Sequence, residues 1–344
     1  MASQPIAIVN AGLVTSVGLS APATCAAIRA GLTNHTDTRF SNAAGDWIPG
    51  AQIRLDEPWR GREKLVRLLH MAIEECVAPL AGAVPDNLPV LLCLAEQQRA
   101  GRLDGLDGEL LRDVMARVGI SWHPEWSGVI PYGRVSTAVA LGRARAILHE
   151  RGAAYALIAA ADSLLLANTL KTLDRQGRLL SESNTNGFVP GEAAGALLLA
   201  ATPGRDPQLV CVGLGFSEEP VTVASEDPLR GAGLTAAINK GLADAGCQMH
   251  DLDFRITDNS GEHYYFKEAA LALTRAMKVR KAEFDIWHPA DCIGETGAAV
   301  GVVALGVALA ATRKAYAPGP NMLFHSGNDT GQRAAVILRS SEVR

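Results

Sequence analysis

Short apolar, β-branched runs alternate along the chain with longer segments whose hydrophobic positions recur at helical spacing. The runs predict strands at residues 6–13, 90–94, 155–161 and 196–201, then at 209–214, 254–257, 284–287, 322–325 and 334–338. The periodic segments predict helices at 22–30, 60–77, 106–118, 135–151, 233–245, 267–277 and 296–312. Gly152 and Gly246 fall where helix C-caps are expected. Strands that alternate with helices in this way predict a layered α/β fold.

Two of these helices, 135–151 and 296–312, are apolar nearly all round. A helix without a polar face has to be covered on both sides by other layers. A punctuated stretch, TPGRDPQ at 202–208, divides the chain into halves at 1–205 and 206–344, each with one such helix. The expectation is an internally duplicated, five-layer α-β-α-β-α arrangement. The run AAVGVVALGVALAA at 298–311 is shorter than the ~20 residues a bilayer requires, so it reads as a core helix.

Composition narrows the picture. The chain has 344 residues, nearly half hydrophobic and few aromatic, which suits tightly packed small-residue helices. A formal charge of −4 gives no reason to expect nucleic acid or a membrane surface as partner. The N-terminus lacks a basic segment followed by an apolar h-region. Six cysteines (Cys25, Cys76, Cys93, Cys211, Cys247 and Cys292) are scattered without ligand spacing, as free thiols in a reducing cytoplasm would be. Neither a metal nor a cofactor is expected, and HPADC at 288–292 is not a ligand motif.

The densest motif is NGFVPGEAAGA at 186–196, with three glycines running straight into a strand. That composition specifies close backbone approach rather than a soft linker. The segment resembles the "DGFVPGEGAGALVL" region of β-ketoacyl-ACP synthases, condensing enzymes of the thiolase fold. IVNAGLVTSVGLSAPATCAAIRAGLT at 8–33, YALIAAADSLL at 155–165 and GETGAAVG at 294–301 are similar to other family segments, in the same order. The resemblance therefore implies a duplicated thiolase fold over nearly the whole chain.

That family uses a cysteine thiolate at a helix N-terminus, where the dipole lowers its pKa. It also uses two histidines that assist decarboxylation and hold the oxyanion, a lysine and a Phe/Gly-rich loop. Aligning YGRVSTAVALGRA with "TACASGLMALGLA" sets Arg134 at the nucleophile position. A guanidinium carries no nucleophile and stays protonated. The histidine of "GHT" corresponds to Glu295, the lysine to Ala290, and the histidine of "HGTGT" to Ser260 or Asn259 within DNSGE. GNDTG at 327–331, with Asn328 and Asp329, replaces the phenylalanine loop.

The joint replacement implies a catalytically silent relative. Arg134 at a helix entrance wants a counter-charge, and the expectation is an ion pair with Glu295, joined by Glu262. A relocated nucleophile, Cys292 served by His288 or His325, is the enzymatic alternative, and Ser260 with His263 is a weaker, hydrolase-like pair. Trp47, Trp59, Trp122 and Trp126 read as ordinary half-buried packing. The resemblance implies a homodimer paired through the strand near 128–131. It also implies a binding, scaffold or adaptor role beside an active ketosynthase, a carrier protein or a secretion-cluster component. The alternative is an acyltransferase or condensing enzyme using the displaced cysteine.

Overall fold

The computed structural model describes residues 4–80, 84–204 and 207–341. The first half contains β1 (Ile6–Thr15), α1 (Ala21–Arg29), β2 (His35–Ser41), β3 (Trp47–Ala51), α2 (Gly61–Val77), β4 (Val90–Cys93), α3 (Leu110–Val118), β5 (Gly128–Ile130), α4 (Ser136–Glu150), β6 (Ala156–Ser163), α5 (Ala167–Arg175) and β7 (Glu192–Ala200). The second contains β8 (Leu209–Glu218), α6 (Ala232–Ala245), β9 (Phe254–Thr257), α7 (His263–Ala276), β10 (Asp285–Trp287), α8 (Ala290–Ile293), α9 (Val300–Arg313), β11 (Asn321–Gly327) and β12 (Gln332–Ser340). The boundary between residues 205 and 206 lies outside the described residues.

Ten strands run in the order β10-β9-β11-β12-β8-β1-β7-β6-β4-β5. The order reads the same from either edge. β4 lies parallel between β5 and β6, as β9 does between β10 and β11. β7 and β12 are antiparallel to both of their neighbours. The halves meet where β1 and β8 pair antiparallel from Ile6↔Cys211 to Ile8↔Leu209.

Hydrophobic packing fixes the layers. One core cluster joins inward residues of both half-sheets, such as Ile158 and Phe324, to α4 and α9. A second packs α2 and α3 on the outer face of the first half-sheet, and a third packs α6 and α7 on the outer face of the second. The result is α-β-α-β-α, the predicted arrangement. α9 is buried along almost its whole length, because it lies between the two half-sheets and has no solvent face. Among the described residues no helix is long and apolar enough to cross a membrane.

Several boundaries differ from the sequence pattern. α3 begins at Leu110 rather than 106, because Gly105 and Gly108 hold the preceding residues in turns. α7 begins at His263, where the aromatic run before 267, HYYF, already forms its first turn. β7 opens at Glu192, inside the glycine-rich motif. The β2–β3 hairpin and α5 were not expected: the first is mostly polar, and the second is a short, two-sided segment. Of the tryptophans, Trp59, Trp122 and Trp126 are half-buried, whereas Trp47 is 60% exposed.

Candidate functional site

Arg134 lies in a 3-10 turn, Gly133–Val135, that leads directly into α4. The residue is buried, so its cation requires partners. Its Nη2 donates to Asp329 Oδ1 at 2.7 Å and to the Tyr265 hydroxyl at 2.5 Å. Nη1 stands 3.5 Å from Glu295 Oε2, and Nε stands 3.7 Å from Asp258 Oδ2. The guanidinium also sits 4.4 Å from the centre of the Tyr265 ring, at cation–π range. It thereby turns away from the helix entrance toward anionic groups contributed by the second half.

Glu295 is held by the glycine-rich motif. Its backbone pairs with the segment at 189–191, through Glu295 N to Val189 O and Gly191 N to Glu295 O, each 2.8 Å. A Cβ at Gly191 would lie 2.3 Å from Ile293 O, so this approach requires glycine. The carboxylate accepts from Ser260 Oγ and from Gly297 N, both at 2.8 Å, which also caps the turn before α9. Burial dominates, and it pushes the Glu295 carboxyl up to about 7 despite Arg134 beside it. Asp258 is raised for the same reason.

A second arginine completes the cluster. Arg178 forks onto Glu262 through Nε and Nη2 at 2.8 and 2.7 Å, and onto Asp329 through Nη1 at 2.5 Å. Glu262 therefore pairs with Arg178 and not with Arg134 as expected, because α7 starts early and turns Glu262 toward the 176–191 segment. Asp329 joins the two arginines. Although burial opposes it, their combined charge holds the Asp329 carboxyl well below the usual carboxylate range. Asn328 ties the same hairpin to the α4 entrance by donating Nδ2 to Tyr132 O at 2.7 Å.

A cleft of about 550 Å³ opens onto this cluster, lined by Arg99, Arg134, Arg178, Glu295, Asn328 and Asp329 with polar and apolar walls. No cysteine is among its lining residues. Deeper in, Arg99 forks onto Asp162 at 2.6 Å through both Nη atoms, and Asp162 Oδ2 accepts from Ala298 N at 2.9 Å.

Apart from Ser260, which the Glu295 carboxylate already holds, the remaining candidates stand apart from the cluster. Ala290 opens α8, buried. Burial raises the Cys292 thiol, which donates weakly to Ile28 O at 4.0 Å. His288 faces Asp291, with Nδ1 to Oδ2 at 2.6 Å. His325 lies 3.3 Å from Thr257 Oγ1, and burial lowers it to about 3. Ser260 is engaged by Glu295, and His263 caps onto Asn186 through its backbone. Among the described residues no group of His, Cys, Asp and Glu is arranged to hold a metal ion.

Arg178, Tyr265 and Asp258 carry the site and were not singled out in the sequence. Asp258 opens the aligned DNSGE segment and Tyr265 follows it by three residues, which are the local hints. Arg178 had none, because it lies between elements.

No protein-family model matches the sequence, and no curated protein matches it. The fold does match solved structures. The ketosynthase ApeO in complex with its chain length factor ApeC from Xenorhabdus doucetiae superposes with a TM-score of 0.78 at 15% identity, over 98% of each chain. The ishigamide ketosynthase/chain length factor gives 0.76 at 16% identity, over 99% of this chain and 100% of that one. A type II acyl-carrier protein in complex with its hexaketide-bound ketosynthase gives 0.78 at 14%, over 98% and 99%. At this identity the likeness shows the thiolase fold alone.

Proposed function

We propose that this protein is a non-condensing, ketosynthase-like accessory subunit whose cleft binds a ligand without forming a covalent acyl intermediate. The observation that carries the reading is Arg134. Where the resemblance sets an acyl-accepting thiolate, the chain has a permanent cation held by Tyr265, Asp329, Glu295 and Asp258. The corresponding histidine and lysine positions are Glu295, Ser260 and Ala290, none of which is an imidazole or amine.

Thiol chemistry supports the same reading. Burial raises every one of the six cysteines above its ordinary value, Cys25 and Cys211 to about 11. A nucleophilic cysteine needs the opposite shift, supplied by a cation or a helix end. The displaced-cysteine enzyme thus has no activated candidate in Cys292.

The partner is a protein. Solved chains of this fold occur as ketosynthase/chain length factor pairs and with carrier protein, and we assign this chain a comparable accessory position beside a ketosynthase or as a homodimer. The decisive experiment is exposure to a cerulenin-type or acyl-thioester probe, followed by intact mass measurement. The expected result is no adduct, together with a stable complex when the chain is co-expressed with a ketosynthase. Stoichiometric labelling of one cysteine would overturn the reading.

A further inference from the structure

Among the described residues four carboxylates form ion pairs with Arg134 and Arg178, and of these four only one is well exposed to solvent. The Asp329 side chain is 48% exposed, against 3–6% for Asp258, Glu262 and Glu295. It sits at the turn between β11 and β12, flanked by Gly327 and Gly331, at the edge of the 550 Å³ cleft. Its Oδ1 receives Arg134 Nη2, Tyr265 Oη and Arg178 Nη2 at 2.7, 2.5 and 3.2 Å, and its Oδ2 receives Arg178 Nη1 at 2.5 Å. Three buried or half-buried side chains thus converge four donors on one solvent-exposed carboxylate. That is a carboxylate receptor filled from within the chain.

We propose that the cleft binds a small-molecule carboxylate whose head group displaces Asp329 from Arg134, Arg178 and Tyr265. The exchange leaves neither arginine unpaired. Arg134 keeps Glu295 and Asp258, and Arg178 keeps Glu262. A planar, singly charged head fits donors that now satisfy a planar carboxylate. A phosphate dianion would bring a second negative charge among three buried carboxylates. The cleft walls carry both Gln97, Gln98 and Gln176 and the apolar Leu164, Leu173 and Phe188. The body of the ligand is accordingly an amphiphilic chain, and the volume lies within the ordinary range for such sites. Asp329 acts as a competitor in place, so the apparent affinity of the free protein is reduced by the fraction of time it stays docked.

The inference rests on the reading of this cleft as a binding site, and the two fail separately. The thioester probe tests covalent chemistry, whereas head-group exchange is tested on Asp329→Ala. Thermal melting is followed in sodium acetate, sodium hexanoate, sodium phosphate and sodium chloride at matched ionic strength. Acetate is expected to raise the midpoint of Asp329→Ala in proportion to the logarithm of its concentration once above its dissociation constant, by about 2 °C at ten times that constant. Hexanoate should act at lower concentration, phosphate no better than chloride, and wild type should need at least about tenfold more of either acid. The response should vanish in Asp329→Ala/Arg178→Gln. Should Asp329→Ala not fold, Asp329→Asn keeps the size and loses the charge, and is read in the same way. Equal responses to acetate and chloride, a preference for phosphate, or a response surviving Arg178→Gln would each overturn the proposal.

Discussion

Gly133 and Gly297 hold the same conformation at the same place in the two halves, with φ of +52° and +54°, each opening the 3-10 turn that feeds a central helix. Each is pressed against an acid: an added Cβ would lie 2.0 Å from Glu96 Oε1 in one case and 2.1 Å from Asp162 Oδ2 in the other. The chain has thus built the same carboxylate-backed helix entrance twice. The residue that follows differs, Ala298 in one half and Arg134 in the other. Ala298 N binds Asp162 directly, whereas Arg134 reaches across to the acids of the second half.

Replacing either glycine by alanine should therefore be costly twice over, through the positive φ and through displacement of a buried acid. Gly297→Ala is expected to lose about 2–4 kcal/mol in urea unfolding. Gly152 has a similar φ of +70° but open space around its Cβ, so Gly152→Ala should lose only about 1 kcal/mol. Equal losses at the two positions would show that crowding against Asp162 contributes nothing.

Arg134→Met leaves Glu295 and Asp258 buried without their shared cation. Breaking a buried pair from one side costs about 3–5 kcal/mol. Both acids are already raised by burial, so the variant can relieve itself by taking up protons. The loss measured at pH 8 should accordingly shrink as the pH is lowered to about 5.5. A loss that is small at both pH values would mean that Arg134 is not the counter-ion of this pocket.

Glu295 also gives wild type a pH signature. Its carboxyl is raised from 4.5 to about 7, so between those values the folded state holds more protons than the unfolded chain. Its contribution is fully present below about 4.5 and declines as pH rises to about 7, by on the order of 3 kcal/mol. Glu295→Gln removes that titration. The stability of Glu295→Gln relative to wild type should therefore improve between pH 5 and 8, as read from paired denaturation curves. A constant difference would place the Glu295 carboxyl in the ordinary range.

Thiol reactivity reads the absence of an activated cysteine. Five of the six cysteines are buried and Cys247 is half-exposed. Under native conditions a disulfide-exchange reagent should modify Cys247 alone at a measurable rate, and all six after unfolding. Fast modification of Cys292 would revive a nucleophilic role for it.

The layers were legible because their signals are local. The uniformly apolar runs of α4 and α9 require cover on both faces, and each strand run appears as a strand within a few residues. The glycine-rich motif announced close approach, which Gly191 makes against Ile293. The charge cluster was legible only in part. Arg134 and Glu295 stood out at helix entrances, but the partner of each was set by tertiary contacts between segments far apart in sequence. Arg178 lies in a stretch without periodicity, and Glu262 pairs with it only because the chain between 176 and 191 folds over α7. The polar β2–β3 hairpin carries no alternation to read.

The glutamate of the glycine-rich motif offers a last test of how buried charge is used here. Glu192, at the start of β7, binds Lys64 of α2 and accepts from Ser163 Oγ at 3.0 Å and Ile53 N at 2.8 Å. Lys64 also donates to Ile53 O at 2.7 Å, and both charged side chains are less than 10% exposed. The pair clamps α2 and the segment after β3 to the central sheet. Lys64→Met leaves a buried carboxylate and should lose about 3–5 kcal/mol. Glu192→Gln keeps the hydrogen-bonding shape but orphans the ammonium, and should lose a similar amount. Lys64→Met/Glu192→Gln removes both charges, so its loss should fall short of the sum of the singles by about 1–3 kcal/mol. Additive losses in the completed cycle would show that the two charges do not depend on each other, and that the clamp is made by the backbone contacts alone.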